Sequence, residues 1–523
     1  METAFKSGAR HRGADTIEIE LRLLASPDVL SQICNAPAVL ERARNKGVVR
    51  RLVAIYYDTP DRLLMQGGLT LRVRRSGKRY VQTIKCASGS DPMVRAEWET
   101  HVATMAPDLS GLPREIAAPF DQFGDDNLVP IFATRVRRHS QALELPDAKI
   151  EIAFDEGVIE AGERREPVSE IELELKEGGA GALYELGLSL LEVAPLRLSV
   201  HSKAERGYAL AFDMPPATLK AGPAGISTED TVDEAAAKLF ANCQHHLMAN
   251  LAAARSGQSP NGVHQARVAL RRLRTAIAIL RRELPATSLR ALAADARSLA
   301  RTLGSARNWD VFVTETIAEI DEADLPDVDS GRLRSVAEPF RGRSHAGLQE
   351  ELEKPQTNRF LLSLGRLIER RNWRDDVASE TPAILAEQAS VFASRCLARL
   401  QRKAIKQGRH FRHLQPEHRH ALRLTLKKLR YAVEFFLPLY AEQALARKYL
   451  KRLSRLQDAL GTDNDVTTTR TLLRDIEGST AHPDVHRAIG VVIGWQGRCQ
   501  IDATKRLRRR WRAFKKATPF WAS

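Results

Sequence analysis

Acidic and basic residues recur at every second position through the first part of the chain, and that spacing can do chemistry. In "IEIELRL", residues 17–23, a strand would turn Glu18, Glu20 and Arg22 to one side and Ile17, Ile19, Leu21 and Leu23 to the other. The same alternation sets Arg72 and Arg74 apart from Leu69, Leu71 and Val73 in "LTLRVRR", and it ends "YVQTIK" in Lys85. It aligns Arg95, Glu97 and Glu99 in "VRAEWET", and Arg135 and Arg137 in "ATRVRRH". It also aligns Lys149, Glu151 and Asp155 in "KIEIAFD", and Glu170, Glu172, Glu174 and Lys176 in "SEIELELK". One such strand is ordinary, because antiparallel sheets often wet one face. At least seven of them, with acids gathered on some strands and bases on others, point to a shared charged interior. Carboxylate oxygens suit hard divalent cations, and rows of Arg and Lys suit an anion. Enclosed charge is stable only when paired, so metal cations and an anionic ligand would complete the pairing.

The elements that must position these residues follow from the same pattern. Closing the sheet into a barrel puts the charges in the lumen and the aliphatic residues outside, under covering helices. "DMPPATLKAGPAGISTEDTV", Asp213–Val232, is rich in Pro, Gly and small polar residues and reads as a linker. Beyond it come long Ala-, Leu- and Arg-rich stretches of helical period. Charge divides at the same place: residues 1–215 hold 28 Lys and Arg against 32 Asp and Glu, a net of −4, so the overall +15 leaves +19 for the remainder. That asymmetry points to a polyanionic partner for the second half. The fold expected is an α+β multidomain chain, an N-terminal antiparallel β tunnel followed by an all-α region. Five scattered cysteines suit reduced thiols in a cytoplasmic protein. The chain shows neither an N-terminal apolar segment nor an apolar stretch long enough for a bilayer, and neither a P-loop nor a dinucleotide glycine pattern.

Taken in order, "EIELR", "YYDTPDRLLMQGGLTLRVRR", "TIK", "RAEWE", "EIAFDEG", "SEIELELKEG" and "SKAERGY" resemble the CYTH domain of the triphosphate tunnel metalloenzymes, over residues 14–213. The resemblance implies an eight-stranded antiparallel tunnel that hydrolyses triphosphates with Mg²⁺ or Mn²⁺; the architecture is most similar to bacterial inorganic triphosphatases with a helical C-terminal domain. It implies Glu18, Glu20, Glu172 and Glu174, with Asp155, as metal ligands. Glu97, Glu99 and Asp155 would serve a second metal or the attacking water. Arg72, Arg74, Lys85, Arg137 and Lys203 would clamp phosphate, joined by Arg95 and Arg206. The family pattern E-x-E-x-K carries Arg22 at its last position here, a planar fork in place of a point charge, which could alter substrate preference or rate. Other activities that share the tunnel are a class IV adenylate cyclase, a thiamine-triphosphatase-like enzyme and a non-catalytic polyphosphate sensor.

In the second half "HQARVALRRLR" from His264 is echoed by "HALRLTLKKLR" from His420, and an "LG" follows each, at Leu303-Gly304 and Leu460-Gly461. "SARNWDV" after the first "LG" has its counterpart in the shorter "TDNDV" after the second. His264, Arg267, Arg271 and Arg274 fall on one helix face, as do His420, Arg423, Lys427 and Arg430. Leu270, Leu273, Ile277 and Leu280 form the stripe that should face a core. Like charges three or four apart repel, so an acid-free basic face suits a bound polyanion better than plain solvation. This region, residues 226–523 after a linker at 214–225, resembles the CHAD domain. The resemblance implies duplicated helical bundles, about 226–380 and 381–523, whose basic groove binds inorganic polyphosphate. Arg307, and more weakly Arg508 and Arg512, would join the matched positions. Nucleic acid is the rival ligand, but the first basic face has no aromatic and the second has only Tyr431 close by, short of the platforms on which bases stack. The expected partners are inorganic triphosphate and polyphosphate, without a membrane, in a cytoplasmic setting that includes polyphosphate granules.

Overall fold

The computed structural model describes residues 16–87, 93–110, 112–117, 120, 127–284, 286–323, 328–375, 381–441 and 443–521. It divides into two compact units, Met1–Ala217 together with Glu353–Arg370, and Thr218–Leu352 together with Arg371–Ser523.

The first unit is built on β1 (Thr16–Leu24), β2 (Val48–Asp58), β3 (Leu69–Ser76), β4 (Arg79–Ala87), β5 (Val94–Val102), β6 (Val129–Leu145), β7 (Ala148–Ala161) and β8 (Arg164–Gly178). They pair antiparallel in the order β5-β4-β3-β2-β6-β7-β8-β1, and β1 returns to β5 to close an eight-stranded barrel. A short β9 (Arg197–Ser199) hangs on β1. Alternation explains the closure. Leu21, Leu23, Leu71, Val73, Ile150, Ile152, Ile171 and Leu173 are buried on the outer face, while the charged residues between them turn into the lumen. Burial of a Leu or Ile side chain stabilises by about 1.5–3 kcal/mol, so a one-residue register slip would be expensive along every strand.

Helices complete the barrel. α1 (Gly181–Val193) follows β8, and α2 (Lys203–Phe212) begins with a capping box in which Ser202 and Glu205 satisfy each other's backbone N–H groups. α2 lies across one end of the lumen. There Ala204 and Tyr208 pack with the inward residues Ala54, Tyr56, Phe132 and Val136. A Cβ on Gly207 would lie 2.1 Å from the Phe132 ring, so only glycine lets the helix come this close. The Tyr208 hydroxyl donates to Asp58 Oδ2 at 2.9 Å, and the buried Asp58 carboxylate also accepts from the Thr59, Leu64 and Met65 backbone N–H groups. The "YYDTPDRLL" stretch is therefore a tied corner at the plugged end.

The second unit is helical: α3 (Val232–Ser256), α4 (Pro260–Glu283), α5 (Thr287–Val311), α6 (Ser330–Glu353, which ends on the first residue of the returning segment), α8 (Ala389–Gln407), α9 (Pro416–Phe436), α10 (Gln443–Glu477) and α11 (Pro483–Lys515). Between them α7 (Pro355–Arg370) belongs to the first unit. It packs on α1, with Gly365 against the Tyr184 ring and Leu362 near Gly187, and Arg370 is ion-paired to Asp147 and Glu185. The duplication is visible as α4 on α5 and α9 on α10. The stripe Leu270, Leu273, Ile277 and Leu280 is buried, and Leu422, Leu426, Leu429 and Val433 repeat it in α9. The linker has no regular secondary structure and is held at Leu219 by two hydrogen bonds to the Asn250 side chain. Among the described residues, no helix is long and apolar enough to cross a membrane.

Candidate functional site

The barrel encloses a cavity of about 590 Å³ whose lining divides into two walls. The acidic wall is set by strand register. On β1, β8 and β7, Glu20 faces Glu174 and Glu174 faces Glu151 directly across the ladder, so three carboxylates stand in one row. Like charges in directly opposed positions destabilise a sheet. One row further toward the plugged end Arg22 faces Glu172. The basic wall comes from β2, β3, β4 and β6: Arg72, Arg74 and Lys85 line it with Arg50, Arg79 and Arg138.

The walls meet through a dense set of ion pairs. Lys85 pairs with Glu18 and lies 3.3 Å from Glu97. Arg72 is 3.7 Å from Glu97, and Arg74 is 3.3 Å from Glu99, which also accepts from Thr83 Oγ1 at 2.9 Å. Lys203, at the first turn of α2, bridges Asp155 at 2.7 Å, Glu172 at 2.7 Å and Glu170. Arg138 grips Asp155 with two bonds of 2.7 and 2.6 Å and reaches Glu172. Arg22 Nε lies 2.7 Å from Glu20 and 3.6 Å from Glu172. Arg95 is 3.2 Å from Glu205, and Glu174 pairs with Lys176.

This crowding moves the titrations. Burial, reinforced by Glu172 and Glu18 and only partly opposed by Arg22, pushes the Glu20 carboxyl up to about 7. Burial also raises Glu174, helped by Glu18 and Glu151. For Glu172 burial acts upward too, but Lys203, Arg138 and Arg22 outweigh it and hold the carboxyl well below its usual range. On the other wall Arg72, with burial and Arg138, brings Arg74 down to about 10. Charge is thus left under-relieved at Glu20 and Glu174 on one wall and at Arg74 on the other.

A divalent cation fits the acidic wall on chemical grounds. The donors are carboxylate oxygens, which Mg²⁺ and Mn²⁺ prefer, and the buried Glu20 Oε1 makes no hydrogen bond despite its ion-pair contact with Arg22. Asp155, Glu170 and Glu172 each offer an oxygen within 4.8 Å of the others. That trio is already bridged by Lys203, and all but Glu170 also by Arg138.

Most residues expected from the sequence meet here: Glu18, Glu20, Arg22, Arg72, Arg74, Lys85, Arg95, Glu97, Glu99, Glu172, Glu174 and Lys203 all line the cavity. Three stand elsewhere. Arg137 is exposed and outside the lining, and its neighbour Arg138 points inward instead, because the inward positions of β6 are Phe132, Val136 and Arg138. Arg206 does not line the cavity; it ties α2 to β8 through Glu166 and Glu170, each at 2.7 Å, and the Pro167 carbonyl. Asp155 sits fully buried behind the lining. Sequence reasoning also missed Arg50 and Arg79 on the cavity wall, and it aligned Glu170 with Glu172 and Glu174 without giving it a place in the site.

In the helical unit the two basic faces lie at corresponding places. On α4, His264, Arg267 and Arg271 are half-buried and Arg274 is exposed; on α9, His420 is exposed while Arg423, Lys427 and Arg430 are half-buried. Arg267 donates to Asn308 Oδ1 at 3.2 Å on α5. Burial, then Arg307 and Arg271, keeps His264 below its usual range and favours the neutral ring. Acids do approach the faces. Arg307 pairs with Glu315 at 2.6 Å, and Arg430 with Glu434 at 3.3 Å. Arg508 and Arg512 are exposed on α11. The "TDNDV" echo falls mostly on 462–465, whose side chains lie outside the described residues. Among the described residues neither histidine joins a three-ligand group.

Comparison with known proteins agrees with this division. Residues 16–208 match the CYTH domain family and residues 238–474 the CHAD domain family. An inorganic triphosphatase of Haemophilus influenzae is 33% identical over 204 residues, covering 37% of this chain and 54% of that protein, so the chain spans about half the length of that curated relative. The crystal structure of the CHAD domain from the plant Ricinus communis superposes with a TM-score of 0.50 at 26% identity, covering 58% of this chain and 98% of that one. The closed eight-stranded barrel thus falls within the CYTH match and the basic helices α4 and α9 within the CHAD match, and the chain joins a CYTH domain to a CHAD domain.

Proposed function

We propose that the barrel hydrolyses inorganic triphosphate to diphosphate and phosphate with the help of Mg²⁺ or Mn²⁺, and that the helical unit binds polyphosphate. The observation that carries the reading is the pair of facing walls, one rich in carboxylates and the other in guanidinium groups, around one cavity open at its mouth. Glu18, Glu20, Glu172 and Glu174 would hold the metal, which when bound polarises phosphoryl oxygens and lowers the barrier to water attack. Arg72, Arg74, Lys85 and Arg138 fix the triphosphate and stabilise charge on the transferred group and on the departing diphosphate. Lys203 and Arg138 also hold Asp155 and Glu172 in place, so Asp155 acts as a positioning residue. Glu97 and Glu99, tied to Lys85, Arg72 and Arg74, orient those cations and can accept a proton from water. Around the helical unit, the basic faces of α4 and α9 offer phosphate contacts without base-reading groups.

The test is phosphate release from tripolyphosphate, ATP and long polyphosphate with Mg²⁺, Mn²⁺ or chelator. Tripolyphosphate should be turned over fastest and chelator should stop it. Glu18→Gln and Glu20→Gln should each lower turnover on the order of a hundredfold or more while circular dichroism stays native. Full phosphate release by either variant would remove the assignment.

A further inference from the structure

The lumen is plugged at one end by α2, so a linear anion longer than the inner clamp can hold has one direction in which to extend, along the basic wall toward the mouth. The wall does not run out of charge there. Arg50 and Arg79 line the outer part of the same cavity. Arg50 lies directly across from Arg138 in the β2–β6 register. Arg79 lies across from Ser76, four residues beyond Arg72 on β3, which at ~3.3 Å per residue places it about 13 Å outward of the Arg72 row. Both are exposed, and neither enters an ion pair or a side-chain hydrogen bond among the described residues.

Exposed arginines are common, but these two continue a register of cations. Arg50 faces Arg138 across the ladder, and Arg138 is already held by Asp155 and Glu172, so among the described residues Arg50 is left without a partner of opposite sign. Arg74, one row further in, already feels Arg72 and Arg138. Around the two arginines the lining offers Ser76, Ser140, Leu52 and Val81, with His101 as the one ring nearby, so the mouth is poorly furnished to stack a nucleobase. On the far side Glu151 and the Glu174–Lys176 pair keep an anion to the basic wall.

We propose that Arg50 and Arg79 form an outer subsite for the phosphate groups of a linear condensed phosphate beyond the three held inside, so that tetraphosphate and longer chains bind the tunnel more tightly than triphosphate. The inference rests on the tunnel being a triphosphate site. Each added phosphate brings oxygen acceptors within reach of a guanidinium fork, the geometry in which charge-assisted bonds are strongest.

The experiment uses the full chain and the Arg50→Gln/Arg79→Gln double variant with tripolyphosphate, tetrapolyphosphate and ATP in Mg²⁺. Hydrogen exchange is followed on peptides covering 48–53 and 75–81, which reads the mouth separately from the helical unit, and KM is measured alongside. Tetrapolyphosphate should protect both peptides where tripolyphosphate and ATP do not, and its KM should be on the order of tenfold lower than that of tripolyphosphate. The double variant should lose the protection and bring the ratio of the two KM values toward one. Equal protection by the two phosphates, or a variant that weakens both alike, overturns the subsite. If neither phosphate is hydrolysed yet the length-dependent protection persists and vanishes in the double variant, the catalytic reading fails and the subsite stands.

Discussion

The barrel and the helical unit both bury most of the apolar side of their elements, but they treat the other side in opposite ways. In the barrel the charged side is enclosed as well, so acids and bases lose most of their water and must find partners of fixed geometry. Lys203 with three carboxylates around it, and Glu20 facing Glu174, are products of that enclosure. In α4 and α9 the charged side is mainly basic, with Glu434 paired to Arg430 at its end, and stays half-exposed, open to a ligand of any length. Enclosed mixed charge suits a rigid site that positions a reaction. Open charge of one sign suits retention of a flexible polyanion.

That contrast is open to attack at three points, beginning with the largest effect. Lys203→Met leaves Asp155, Glu170 and Glu172 short of a cation in a buried site and should cost the barrel about 3–5 kcal/mol. Hydrogen exchange of β1 and β8 peptides should report it, with millimolar Mg²⁺ recovering part of the loss. Arg274→Met on the exposed end of the α4 face should cost less than about 1 kcal/mol. Similar losses at the two sites would erase the distinction.

The second point is pH. Burial holds the Glu20 carboxyl up at about 7 in the fold against an ordinary value of about 4.5, so between those limits the folded barrel holds more protons than the unfolded chain. Stability from this group is therefore complete below about 4.5 and is lost as pH rises through about 7. In chelator, raising pH from 5 to 8 should cost the wild type up to about 3 kcal/mol more than Glu20→Gln. A pH dependence identical in the two proteins would mean that Glu20 is relieved by something other than a proton or a metal.

The smallest effect belongs to the helices. Neutralising Arg271 and Lys427 together, one from each repeat, should lower affinity for long polyphosphate about tenfold at low salt. The deficit should shrink as salt rises, because open charges are screened. A loss independent of salt would place these residues in an enclosed site like that of the barrel.

Much of this was legible in the chain. Period-two alternation in seven segments gave the barrel and its charged lumen, and the 3-4-3 spacing gave the basic helix faces. What stayed hidden was hidden for local physical reasons. At the plugged end the lumen is apolar, so Val136 faces inward and the rule that charge marks the inside fails. In "TRVRRH" the adjacent Arg137 and Arg138 then cannot be told apart, and the same holds for Arg50 and Arg51 in "VVRRLV". Arg206 stands three residues after Lys203 on one helix, and only the end of the helix reaches the cavity. Spacing put Glu170 on the inward face, but its partner is a lysine 33 residues away, a contact that no spacing reveals. Helix α7 gave no sign of its allegiance either, since an amphipathic helix reads alike whichever surface it covers.

That helix has a practical consequence. Because Pro355–Arg370 packs on α1 and anchors Asp147 and Glu185 through Arg370, a gene fragment that stops in the linker would encode a barrel stripped of part of its own coat. Poor expression or weak activity from such a fragment would report a missing piece of scaffold, and would say nothing about communication with the rest of the chain. A fair dissection would graft this sixteen-residue helix back by a short tether.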